Sequence, residues 1–319
     1  MEPLQAGWIV AGHIEQFDEV AAALRRLVKA SGSATRDVAL AMPDSAVIMT
    51  KILIPSDLGE AELLRQVEAE VARLSGRSVA DMRVDYTVQG RVKTPGHGAA
   101  MEILIAAATQ ESVQDRLGLA ESAGLTPVVL DVEAQANMLA AGRLISPQLE
   151  ALKNPVVALF QVGIEGASLH VTHQGEMVHM ARKPVDGALL SKLIFQSSAL
   201  EVMGAENQKG KGLFLDDEPP DLQALIDALA DGLASDLFAF LSTSAFRRID
   251  TVFLAGGLSA LHGLQDAIKR RTFSDCVVVD PFSGMQLGVA LQGYALQYAE
   301  RAGMLTACGL ALRRFHGLC

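Results

Sequence analysis

Cysteine is scarce. The 319 residues contain 3 cysteines, Cys276, Cys308 and Cys319, with no Cys-x-x-Cys spacing. This excludes a disulfide framework and a cysteine zinc site, and leaves reduced thiols of a cytoplasmic protein as the expectation. Aromatic residues are also few, at 5%, with 1 tryptophan. No apolar run approaches the roughly 18 residues that a spanning helix needs. Yet 50% of residues are hydrophobic and the mean hydropathy is +0.27. The surplus therefore points to large buried sheets or partner surfaces. The start, Met1-Glu2-Pro3-Leu4-Gln5, has no positive region followed by an apolar stretch, so no signal peptide is expected. Positive charge is the minority sign: the net charge is −10. The basic residues form short scattered clusters, Arg25-Arg26, Arg247-Arg248, Lys269-Arg270-Arg271 and Arg313-Arg314. Without a basic stripe, a dedicated nucleic-acid partner is not expected. What the chain does have is length, enough for about two domains at ~150 residues each.

Periodicity supplies the elements. A short strand-like start, Gly7 to Ile14, precedes an amphipathic helix carrying Phe17, Val20, Ala21, Leu24, Leu27 and Val28, with Gly32 as its cap. Val38 to Met42 and Val47 to Ile54 read as strands. Glu60 to Leu74 reads as a helix with the stripe Leu64, Val67, Val71 and Leu74. Val84 to Val88 alternates like a strand, Gly90 to Ala99 reads as a loop, and Met101 to Ala107 as a strand. A helix over Gln110 to Ala123, the strand Pro127 to Asp131 and a helix over Val132 to Arg143 follow. The second half opens with the strands Val156–Val162, Ala167–Thr172 and Met177–Arg182. Helices are predicted over Gly187–Leu200, Asp221–Ala245 and Leu258–Arg271, with strands Thr251–Ala255 and Val277–Asp280 and a terminal helix ending near Arg313. This order resembles a ribonuclease-H-like half, a mixed sheet with helices on both faces.

Several segments together resemble the type IV pilus assembly protein PilM family. They are Ser45-Ala46-Val47-Ile48 running into Lys51-Ile52-Leu53-Ile54-Pro55 and Glu68-Ala69-Glu70; Gly124-Leu125-Thr126-Pro127 through Ala134; and Leu254-Ala255-Gly256-Gly257-Leu258-Ser259. Asp280-Pro281-Phe282-Ser283-Gly284-Met285 and the tail Ala307-Cys308-Gly309-Leu310-Ala311-Leu312-Arg313 complete the set. They occur in the family's order and cover essentially the whole chain. The resemblance implies an actin-like α/β fold, two ribonuclease-H-like halves around a cleft. Residues 1–44 and 125–150 would form the first half, 45–124 an inserted β-α-β-β-α domain, and 151–319 the second half with a small insertion near 201–220. It also implies that the family's opening hairpin and first phosphate loop lie outside this chain, with Glu2-Pro3-Leu4 resembling the sequence just beyond them.

The same resemblance assigns a nucleotide site, with ATP and magnesium as cofactors. The second phosphate loop matches Phe160-Gln161-Val162-Gly163-Ile164-Glu165-Gly166. Gly163 and Gly166 stand at the loop, and Gln161 stands where the family carries a metal-placing aspartate. A neutral amide supplies no charge, and Glu165 is the candidate that could compensate. Gly256, Gly257 and Ser259 form the adenosine-side element, where glycines after a buried strand allow close backbone approach to a ligand; a tight strand-to-helix turn is the equal alternative. Glu133 and Gln135 lie on a helix that can orient an attacking water in this fold, and a capping or surface role is favoured for them. His170, His173 and His179 lie on adjacent strands, with His170 and His173 on opposite faces. Ser197-Ser198 and Ser242-Thr243-Ser244 have no paired base.

The expected function is a cytoplasmic actin-like adaptor on the inner face of the bacterial inner membrane. It would bind the N-terminal cytoplasmic peptide of a PilN-like membrane protein in a groove formed by Val38–Leu53 and Met101–Asp131, and would contact pilus motor ATPases. An ATP-hydrolysing protein is the alternative from another class, disfavoured by the first phosphate loop that the resemblance does not find here and by Gln161. A GspL-like secretion adaptor and an FtsA-like division adaptor are further alternatives. Homodimerisation through an unpaired sheet edge is a further expectation.

Overall fold

A computed structural model describes residues 2, 4–5, 7–94, 98–149, 154–163, 166–183, 220–286 and 301–313. The chain divides into two units, Met1–Glu133 and Ala134–Cys319.

The first unit opens with a two-residue hairpin, β1 (Ile9–Val10) against β2 (His13–Ile14). Ala11 and Gly12 turn it with φ of 49° and 83°, the left-handed pair that matches strand twist in a type I′ turn. α1 (Phe17–Ser31) follows and stops at Gly32, whose φ of 63° closes the last turn. β3 (Asp37–Met42) pairs in parallel with β7 (Thr126–Val132). Between them run β4 (Val47–Pro55), α2 (Glu60–Ser75), β5 (Met82–Thr94), β6 (Gly98–Thr109) and α3 (Gln110–Ser122). The three strands form an antiparallel sheet in the order β4-β6-β5.

Two expectations in this region need correction. The buried stripe of α2 is Leu63, Val67 and Val71, which packs on Ile54, Ile103 and Ile105. Leu64 and Leu74 are 42% and 40% exposed. Adjacent leucines offer two stripes one position apart, and the sheet selects the one with strict four-residue spacing. Second, Gly90 does not begin a loop. β5 continues to Thr94, paired with β6 as far as Thr94↔Gly98, with a register shift between Val88 and Gly90. A glycine at a bulge lets a ribbon keep its ladder.

The second unit is built on a five-stranded mixed sheet in the order β10-β9-β8-β11-β12. Its strands are β8 (Val156–Val162), β9 (Ala167–His173), β10 (Glu176–Lys183), β11 (Thr251–Ala255) and β12 (Asp275–Val278). The helices are α4 (Glu133–Leu149), α5 (Pro220–Thr243), α6 (Leu264–Thr272) and α7 (Leu305–Leu312). Alternate residues of β8 serve two cores. Ala158, Phe160 and Val162 join Ile226, Leu233, Leu237 and Ile268 of α5 and α6. Val157 and Leu159 join Ala140, Ala141 and Leu305 of α4 and α7. Burial on both faces explains the continuous apolar runs. The helix expected from Leu258 starts at Leu264, because Gly263 adopts φ of 82° and the preceding residues form turns. The helix expected at 187–200 and the polar segment 206–219 lie outside the described residues.

Candidate functional site

The sequence candidates of the second unit gather at one end of its sheet. β8 and β11 run in parallel, and their last pair is Ala255↔Gln161. The residues that leave both strands there are therefore neighbours: Gln161 and Gly163 from β8, Gly256, Gly257 and Ser259 from β11. Gly166 returns across the loop, and its carbonyl accepts the Gly163 N–H at 2.9 Å.

Gln161 is half-buried and engaged. Its Oε1 accepts a hydrogen bond from Asn137 Nδ2, and Asn137 Oδ1 in turn accepts from Thr306 Oγ1 at 2.8 Å. Asn137 is fully buried on α4, and Thr306 belongs to α7. This neutral chain ties the end of β8 to two helices. Sequence reasoning missed Asn137 and Thr306. The available signal was that Asn137 is the polar residue among the alanines that α4 turns inward.

The glycines differ in what they make room for. A Cβ on Gly256 would stand 2.4 Å from the Val162 carbonyl oxygen, and its φ is 93°. The Leu258 N–H donates to that same oxygen at 3.1 Å. The close approach at Gly256 is thus to the backbone of β8. Gly257 is exposed, with no atom of the described residues within 4 Å of where a Cβ would point. Ser259 is 1% exposed, and its Oγ has no hydrogen-bond partner among the described residues. A Cβ on Gly166 would stand 3.2 Å from the Lys183 carbonyl oxygen and 3.3 Å from Arg182 Nη2. An arginine head therefore lies beside the loop, a second feature missed from sequence. Its neighbour Lys183 is paired with Asp236 at 2.8 Å and donates to the Gly232 carbonyl at 3.1 Å. Glu165 and Ile164 lie outside the described residues.

The remaining candidates occupy packing or bonding positions. The Glu133 carboxylate accepts the Asp44 N–H at 3.4 Å within the first unit. His170 is fully buried in β9. The His173 ring meets Phe246 at 5.1 Å, and the His179 ring stacks on Phe240 at 4.8 Å. Burial pulls the His179 imidazole below the ordinary value of 6.5, with Asp236 opposing. Burial also pushes the Cys276 thiol up to about 12, which makes it inert at neutral pH. Ser242 and Thr243 donate to carbonyls of their own helix. Ser197 and Ser198 lie outside the described residues. Among the described residues there is no group of three or more His, Cys, Asp or Glu able to hold a metal ion.

The profile of the type IV pilus assembly protein PilM family matches residues 1–315. The chain belongs to this family. Among solved structures it resembles the PilM–PilN type IV pilus biogenesis complex, at 21% identity, over 98% of this chain and 89% of that one, with a TM-score of 0.76. It also aligns with the ethanolamine utilization protein EutJ from Carboxydothermus hydrogenoformans, at 16% identity over 79% and 72% of the chains, with a TM-score of 0.40. A Bacteroides thetaiotaomicron protein with an actin-like ATPase fold aligns at 12% identity over 91% and 80%, with a TM-score of 0.44. The PilM likeness carries the fold, and the actin-like α/β class expected from the resemblance is the class of this chain.

The cofactor implied for a PilM-type fold is ATP with magnesium, and the described residues do not fit the metal. A magnesium ion bridging phosphates is held by carboxylate and other hard oxygen ligands. Gln161 has no charge, its Oε1 already accepts from Asn137, and among the described residues the ionic side chain beside Gly166 is the cation Arg182.

Proposed function

We propose that this PilM-family chain is a peptide-capturing adaptor of the pilus assembly machinery. It binds the N-terminal segment of a PilN-like membrane protein and is held at the inner face of the inner membrane through that partner. The observation that supports this reading most is the match to the PilM family over residues 1–315, together with the fold shared with the PilM–PilN complex.

The first unit has features suited to the role. Its segments Val38–Leu53 and Met101–Asp131 supply β3, β4, β6, α3 and β7, joined by the buried cluster Met42, Ala108 and Val113. Leu53 and Val128, one from each segment, are 55% and 56% exposed. An extended peptide beside open strand edges gains main-chain hydrogen bonds, and apolar side chains there add selectivity. Among the described residues no helix is long and apolar enough to cross a membrane, so membrane association is assigned to the partner. Adaptor function needs no catalysis by this chain.

The test is a fluorescence titration of the chain with a labelled N-terminal peptide of the PilN-like protein. Saturable binding that weakens in Leu53→Asp or Val128→Asp supports the reading. Absence of binding with or without Mg-ATP refutes it.

A further inference from the structure

We propose that the first unit carries an anion pocket where the ends of α1 and α3 meet, and that its ligand is a phosphate group, presented by a lipid headgroup or free in solution. The inference rests on the first unit alone and is independent of peptide capture.

A cavity of about 480 Å³ lies at this joint, and Arg25, Lys29 and Arg36 line it. No acidic residue is among its lining residues. Arg25 and Lys29 are four positions apart on α1 and so share one face. Gly32 and Gly124, with φ of 63° and 75°, end α1 and α3 and turn the chain at the rim. The Thr126 N–H donates to the Arg36 carbonyl at 2.8 Å, which ties the segment after α1 to the turn after α3. Backbone carbonyls then hold the two guanidinium groups. Arg36 Nη1 donates to Ser33 at 2.9 Å and to Thr35 at 3.4 Å, and Arg25 Nη1 donates to Ser122 at 3.5 Å.

Folding alone does not account for this gathering. Like charges one turn apart oppose the stability of a helix. The chain carries a net charge of −10, yet none of the three cations has an ion-pair partner among the described residues. Arg26, the neighbour that does not line the cavity, is paired with Glu2. The next acids along the chain, Asp37 and Glu121, are exposed and do not line the cavity either. The carbonyl end of each helix carries about half a negative charge, so the two ends offset about one of the three positive charges. A guanidinium has more donors than these carbonyls take: they engage Nη1 of each arginine and leave Nε and Nη2. A concave site lined by one sign of charge focuses its field on an anion. Arginine forks match phosphate oxygens in pairs, and the remaining charge of about +2 exceeds that of a single carboxylate and matches a phosphate dianion.

Isothermal titration calorimetry of the full chain with sodium pyrophosphate in EDTA tests the site. Co-sedimentation with phosphatidylglycerol vesicles, against phosphatidylcholine vesicles, tests the source. Pyrophosphate should bind, and Arg25→Ala and Lys29→Ala should each weaken it about threefold to tenfold. Arg26→Ala removes the same charge from the same helix outside the cavity and should stay within about twofold of wild type. Co-sedimentation with phosphatidylglycerol that is lost in Lys29→Ala assigns a lipid headgroup, whereas pyrophosphate binding without co-sedimentation assigns a free phosphate species. Binding of neither, binding unchanged in Arg25→Ala and Lys29→Ala, or an equal loss in Arg26→Ala overturns the proposal. A polyglutamate peptide that binds as tightly as pyrophosphate also overturns it, in favour of an acidic protein partner. Arg25, Arg26 and Lys29 are exposed, so their variants should keep the wild-type circular dichroism, which separates lost binding from lost folding.

Discussion

Replacing Gly309 by alanine should destabilise the second unit, although alanine is the better helix former. Gly309 lies where α7 crosses α4. A Cβ there would stand 1.8 Å from the Ala136 carbonyl oxygen and 2.4 Å from its carbon. Ordinary contact begins at 3.4 Å, so the backbones of α7 and α4 must move apart at this point. The same helix carries Thr306, whose hydroxyl is 2.8 Å from Asn137 Oδ1. Moving the two helices apart stretches this pair away from hydrogen-bonding distance. Overpacking costs about 1–3 kcal/mol. Leaving the fully buried Asn137 oxygen unsatisfied costs about 1–3 kcal/mol more. Helix propensity returns at most about 1 kcal/mol. The net expectation is a loss of about 3 kcal/mol. Gly142 on α4 is the internal control, because among the described residues no atom outside its own helical turn lies within 4 Å of its Cβ position. Gly142→Ala should gain roughly 0.5–1 kcal/mol. Urea denaturation of both variants, compared at equal slope, gives the two values. A Gly309→Ala protein as stable as wild type would refute the close crossing and the linkage to Asn137.

Two further predictions test the packing. Leu63→Ala should cost about 2–5 kcal/mol as a core truncation, whereas Leu64→Ala should stay within about 0.5 kcal/mol as a surface change; equal effects in urea would mean that α2 is rotated. His179 should make stability pH-dependent, because its folded pKa is lowered by burial from 6.5. The unfolded state then binds the proton more tightly, so the His179 contribution is full above about 6.5 and declines as pH falls through the window below it. Thermal melts at pH 5.5 and 7.5 should show a smaller difference in His179→Phe than in wild type, and an unchanged difference would assign the pH dependence elsewhere.

The elements that could be read from the residues are those whose pattern has one physical solution. α1 has a single apolar face and a glycine at the end of it. β8 is apolar from Val156 to Phe160 because it is covered on both sides. The misplaced features each depend on something distant. The choice between Leu63 and Leu64 is made by Ile103 and Ile105 across the sheet. Gly90 stays in a strand because β6 offers it a partner. Gly263 delays α6 by a backbone angle that composition does not reveal. The family resemblance located Gln161, the loop glycines and the turn after β11, but gave no view of what they touch. Asn137 and Thr306 are separated by 169 positions, and Arg182 reaches Gly166 only through the register of β10 on β9.

Gln161 gains its meaning from what it touches. An aspartate at position 161 would place a charge against the fully buried Asn137, where an ion needs a counter-charge to offset its desolvation. A metal ion supplies that counter-charge in a carboxylate loop. Glutamine is neutral and accepts the Asn137 hydrogen bond, so the end of β8 is held whether or not a ligand is present.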